Sequence, residues 1–113
     1  METIKLKPIN KKRFNPNNCP VVYTMSQIGG NWKPVILWAI RFEINRFSLL
    51  LKELPISRKM LSKELKALEQ SNILVRTSFP EVPPRVEYSL SEKGQSLIPL
   101  IHLMCDWGED HQP

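Results

Sequence analysis

Between residues 57 and 90 the spacing of apolar side chains changes once, from a repeat near 3.6 residues to a repeat of about 2. In SRKMLSKELKALEQ, Leu61, Leu65 and Leu68 recur at helical spacing. In RVEYSL, Val86, Tyr88 and Leu90 alternate with Arg85, Glu87 and Ser89. A helical stripe cannot serve as the buried face of a strand, so the change fixes the order helix, then strands. NILVRTSF pairs with RVEYSL as a hairpin, and PEVPP is its turn. Proline has no amide to give to a ladder, so Pro83 and Pro84 must lie outside the pairing. Ser57 is placed to cap the helix, and Asn72 to end it, because asparagine tolerates the left-handed conformation.

The rest of the chain is helical in pattern. Pro20 suits a first helical position, which makes Cys19 the N-cap of a helix carrying Val21, Val22, Met25 and Ile28 on one face. Gly29 and Gly30 end it. NWKPVILWAIRF places Trp32, Val35, Ile36, Ala39 and Ile40 along one stripe, with Pro34 in the first turn, where it does no harm. NRFSLLLKEL is a short third helix, broken from the fourth by Pro55 and Ile56. Ser91 caps a last helix over about 92–109. Residues 1–18 read as a loose basic arm and 19–113 as one domain. Pro99 should be harmless near the start of the last helix and should kink it if it lies deeper.

Charge is distributed unevenly. The net charge is +5. Residues 1–18 hold five basic and one acidic side chain, residues 41–66 seven and three, and residues 86–113 one and five. A basic arm, a basic middle and an acidic end suit a protein that turns one face to a polyanion. No stretch approaches the length of a membrane helix and no signal peptide is visible, so a soluble, cytoplasmic protein is expected. Cys19 and Cys105 are the two cysteines. A structural disulfide is not expected in a reducing compartment. His102, Cys105 and Asp106 share helical spacing, but no pattern of standard zinc spacing exists and no metal or other cofactor is expected. There is no nucleophile–base pair, phosphate loop or paired carboxylate at catalytic spacing, so the chain is not read as an enzyme.

Two helices joined by a short turn and followed by a hairpin form a winged helix-turn-helix pattern, an α+β, mainly helical class. Helix 57–70 decides its use. Lys59, Ser62, Lys63 and Lys66 fall opposite the leucines, with Ser57 and Arg58 at the N-terminal edge. The leucines anchor the helix while lysines and hydroxyls face outward, as a recognition helix in the major groove of double-stranded DNA requires. The hairpin, about 73–90, is then the wing. A proline-stiffened tip with Pro84 loses little entropy on docking. Arg85 at the base of the second strand and Arg46 at the start of the third helix are further phosphate candidates.

The last helix carries a second message. Leu97, Leu100, Ile101, Met104, Cys105 and Trp107 belong to an apolar arc too wide for a helix with one side in water. With Val22 of the first helix, they are the expected interface of a homodimer. A twofold dimer would set two recognition helices in successive grooves and read a pseudo-palindromic operator.

NCPVVYTMSQIGGNW, RFSLLLKELPIS, KMLSKELKALE and FPEVPPRVEYSLSEKG together resemble the HxlR family of bacterial and archaeal winged-helix regulators, relatives of the MarR group. The resemblance runs from about Cys19 to Trp107. It implies a homodimer joined through terminal helices, a DNA-binding fourth helix and a wing. Arg76 and Arg85 match the family pattern. Asn31, Leu49 and Leu51 replace residues that are more often charged, Asn72 replaces a frequent glycine, and the turn LPIS lacks a glycine before Ile56. The third helix is therefore less charged than the family pattern implies.

Cys19 at a helix N-terminus would favour the thiolate, the more so if Lys11, Lys12 and Arg13 fold back onto it. Family members that sense oxidants through a cysteine here imply a thiol-redox role, with Cys105 of a second copy as a weaker partner. The effector, oxidant or small molecule, stays open. The competing reading is a winged-helix protein-interaction module without specific DNA binding.

Overall fold

The computed structural model describes residues 5–113. Five helices and one hairpin follow in order: α1 Pro20–Ile28, α2 Lys33–Arg41, α3 Phe47–Glu53, α4 Arg58–Gln70, β1 Leu74–Phe79, β2 Arg85–Leu90 and α5 Glu92–His111. The arm expected over 1–18 begins outside the described residues. From Lys5 to Asn18 it is exposed and holds a single 3-10 turn at Lys11–Arg13, where Asn10 accepts the Lys12 amide.

Each helix stops where its chemistry requires. Gly30 leaves α1 at φ 91°, a conformation open to glycine at little cost. Ser57 Oγ accepts the Met60 amide at 3.1 Å and starts α4. Asn72, at φ 60°, turns the chain out of α4, and the Ile73 amide reaches back to the Leu68 carbonyl. The hairpin that follows is antiparallel, with Leu74 opposite Leu90 and Phe79 opposite Arg85. Pro83, after a cis Val82–Pro83 bond, and Pro84 lie in the tip beyond the ladder.

The core is a single cluster. Ile36, Leu37, Leu50, Leu61, Leu68 and Ile73 are fully buried, with Leu65, Leu74, Tyr88 and Ile101 close behind. It lies beneath α2, α3 and α4, and the wing joins it through Leu74 and Tyr88. The Tyr88 amide also donates to the Asn45 carbonyl at 2.9 Å, which ties β2 to the loop between α2 and α3. Lys33 of α2 and Glu64 of α4 add a 2.8 Å ion pair, largely shielded from water. Val35, expected on the buried stripe of α2, is exposed.

The junction of wing and α5 is tight. Ser91 Oγ accepts the Gly94 amide at 3.0 Å and donates to the Asn72 carbonyl at 2.6 Å. Gly94 is buried, and a Cβ there would run into the Ile73 carbonyl. Alanine ordinarily stabilises a helix over glycine by about 1 kcal/mol. Here the sign should reverse: Gly94→Ala is expected to lose about 1–3 kcal/mol through the backbone shift it forces. Thermal unfolding checks this, and a raised midpoint would mean that α5 does not sit on Ile73. Pro99 is the eighth residue of α5, past its first turn, so the Gln95 carbonyl lacks an amide partner there.

Candidate nucleic-acid interface

The site begins with α4, whose amphipathic repeat divides the helix cleanly. Leu61, Leu65 and Leu68 are 0, 2 and 0 % exposed. Ser57, Arg58, Lys59, Ser62, Lys63 and Lys66 all lie in solvent. The Arg58 guanidinium stands 5.5 Å from the Phe47 ring centroid, which rests its stem on α3 and leaves its donors at the helix start. Glu64, the acidic residue nearest the middle of the lysine row, is turned away and paired with Lys33. Lys59, Lys63 and Lys66 form no ion pair among the described residues, so the outward face is a row of cations and hydroxyls above the buried leucines.

The wing arginines are held differently from the lysines. Arg85 Nη1 donates to Glu87 at 3.0 Å, and its Nε lies 2.8 Å from Glu81 in an ionic contact without hydrogen-bond alignment. Its guanidinium also covers the Phe79 ring at 4.0 Å. Arg46 Nη2 donates to the same Glu87 oxygen at 3.3 Å. Both arginines, phosphate candidates from the sequence, thus share one carboxylate in this chain. Pro84, at the tip, is exposed. Glu87 was not singled out from the sequence. It pairs with a residue 41 positions away, and a polar position on a strand gives no local sign of that.

The interface expected on α1 and α5 splits in two. Ile101 is 4 % exposed and belongs to the chain's own core, so it does not face a second copy. The helix turns it toward α2 rather than outward. Leu97 and Leu100 are half-buried against the same core. Val22, Met104 and Trp107 are exposed, as are Tyr23, Met25 and Leu103. The apolar arc of α5 is thus shared: its first half completes this chain, and its second half stands uncovered. Trp107 stacks on His111 with centroids 4.1 Å apart.

Cys19 is the N-cap residue of α1 and is half-buried, but its side chain makes no capping hydrogen bond. A shallow hollow beside it is lined by Asn17, Asn18, Val22, Tyr23 and Ser26. No lysine or arginine lines that hollow. Arg13 instead donates to the Pro8 carbonyl, so the basic cluster of the arm is not folded against the thiol. Cys105 lies one turn from Glu109, 3.9 Å away. Partial burial pushes its thiol pKa up, and the Glu109 and Asp106 carboxylates push it further. That environment disfavours the thiolate and makes Cys105 a poor nucleophile. Among the described residues no group of side chains could hold a metal ion, and no helix is long and apolar enough to cross a membrane.

This arrangement agrees with known proteins over most of its length. The chain is 45% identical over 91 residues to the uncharacterised HTH-type transcriptional regulator YdzF of Bacillus subtilis, covering 79% of this chain and 84% of that protein. It superposes on the redox regulator HypR in its oxidised form with a TM-score of 0.79 and 37% identity, over 84% of this chain and 99% of that one. Diamide-treated YodB from B. subtilis gives a TM-score of 0.67 and 34% identity, over 85% of this chain and 98% of that one. The profile of the HxlR-like helix-turn-helix family matches residues 27–113, from the end of α1 through the wing to the end of α5. The chain belongs to the HxlR-like helix-turn-helix family.

Proposed function

We propose that two copies of this chain form a sequence-specific, DNA-binding transcriptional regulator that places α4 in the major groove. The observation that carries this is the division of α4, with Lys59, Ser62, Lys63 and Lys66 in water and three leucines sealed beneath. Lysines displace counterions from phosphates, while Arg58 and Lys59 at the helix start are placed to reach guanine edges. The wing lies along the duplex with Pro84 and Arg85, and Arg46 reaches an adjacent phosphate. The exposed second half of α5, with Val22 of α1, joins the two copies, so the operator is pseudo-palindromic. Selection of bound sequences from random duplexes tests the reading. It predicts enriched sites with twofold symmetry and half-sites about 10 base pairs apart or a multiple of that. Enrichment without symmetry, or none at low salt, contradicts it.

Binding responds to thiol oxidation through Cys19. The support is its half-buried position at the start of α1 and the chain's similarity to HypR, a redox regulator. Hydrogen peroxide or diamide is expected to change DNA affinity, and Cys19→Ser to abolish the change. An oxidant response that survives Cys19→Ser removes this role.

A further inference from the structure

Two stretches of the chain stand in water with side chains of complementary chemistry. From Lys5 to Asn18 every residue is exposed. The cations there are Lys5, Lys7, Lys11, Lys12 and Arg13, and no aspartate or glutamate occurs from Lys5 to Phe42. The arm is also apolar, because Leu6, Ile9 and Phe14 lie in solvent beside those cations. Phosphates would draw on the cations alone and leave the three apolar side chains in water.

The last two turns of α5 are the counterpart. Leu103, Met104 and Trp107 are exposed apolar side chains, and Asp106, Glu109 and Asp110 are exposed carboxylates around them. Glu109 and Asp110 lie at the carbonyl end of a 20-residue helix, and His111 is the one basic residue of its last turn. The dipole favours cations at that end, so these carboxylates oppose it unless cations arrive from elsewhere. They do not arrive from the same chain. Among the described residues no ion pair joins an arm cation to a carboxylate, and Arg13 donates instead to the Pro8 carbonyl within the arm.

We infer that the arm of each copy docks along the last two turns of α5 of a second copy. Leu6, Ile9 and Phe14 cover Leu103, Met104 and Trp107, while Lys11, Lys12 and Arg13 meet Glu109 and Asp110. Continuity with the subunit contact selects this occupant. The arm runs directly into α1, whose first turn holds Val22, and Met104 and Trp107 lie within the last two turns of α5. A dimer that sets Val22 on the uncovered half of the other copy's α5 carries the arm to that helix's end. The contact rests on the twofold dimer already proposed and adds the arm to it.

Charge reversal of each side, measured by sedimentation equilibrium of full chains at low salt, tests the contact. One variant carries Lys11→Glu, Lys12→Glu and Arg13→Glu; the other carries Glu109→Lys and Asp110→Lys. Each homodimer then faces like charges and should dissociate about tenfold more readily than the parent, as loss of several exposed ion pairs in duplicate would allow. An equimolar mixture should recover the parent's affinity, because the heterodimer restores opposite charges at both of its arm contacts. Neither set of changes touches the core, so helix content by circular dichroism should equal the parent's. Reversed variants that dimerise as tightly as the parent overturn the inference. A mixture no tighter than its components does so too, since it would place the arm on its own chain. An arm variant that keeps its dimer but loses operator affinity would assign the arm to DNA and also overturn it. A parent that stays monomeric at high concentration removes the dimer itself, a failure distinct from an intact dimer indifferent to the arm.

Discussion

Leu61→Ala will cost the fold about 3 kcal/mol, while Lys63→Ala and Lys66→Ala will leave its stability nearly unchanged. Leu61 has no exposed surface and lies at the centre of the cluster joining α4 to α2 and α3. Truncating a buried leucine removes its transfer free energy and leaves a cavity, together about 2–5 kcal/mol. In a domain of this size each kcal/mol lowers the melting midpoint by about 4–8 °C, so a drop of about 12–24 °C is expected. The lysines stand in water and form no ion pair among the described residues, so their stability effect should stay within about 0.5 kcal/mol. Calorimetry of the variants checks both halves. A mild Leu61 variant together with unstable lysine variants would mean that α4 is seated the other way round.

Placing two glutamates on the uncovered half of α5, as Met104→Glu with Trp107→Glu, will yield a folded monomer that has lost most of its hold on a full operator. Met104 is 47 % and Trp107 66 % exposed, so neither supports the core, and the variant should melt near the parent's temperature. Two buried like charges facing their symmetry mates oppose association strongly. Linking two DNA-binding units through a dimer typically raises affinity by about 10²–10⁴-fold, and that factor should disappear for the full operator. Affinity for a duplex with a single half-site should hardly change. Sedimentation equilibrium with parallel titrations of both duplexes reads all three quantities. An intact dimer in the double variant would place the subunit contact elsewhere.

The fold was legible wherever a local pattern carried it. The switch of apolar period located α4, the hairpin and their order. Ser57, Ser91 and Asn72 marked ends that the backbone adopts. The face of α4 was legible too, because helical geometry alone sets Lys63 opposite Leu61. What escaped depends on residues distant in sequence. Ile101 had the same pattern as Met104, and only the course of α5 over α2 sends one inward and leaves the other out. Glu87 looked like an ordinary outward strand residue, yet it holds both Arg46 and Arg85. Lys33 and Glu64 were two unremarkable charges until α2 and α4 brought them to 2.8 Å.

The most direct test of the account is the salt dependence of operator binding by the parent chain and by Lys63→Ala. The parent's log association constant should fall linearly with log salt, with a slope set by the phosphates it neutralises. Lys63→Ala should make that slope shallower by about one unit per lost phosphate contact, hence about two in a twofold dimer. A slope that Lys63→Ala does not alter, or binding indifferent to salt throughout, would contradict the assignment of the outward face of α4 to DNA.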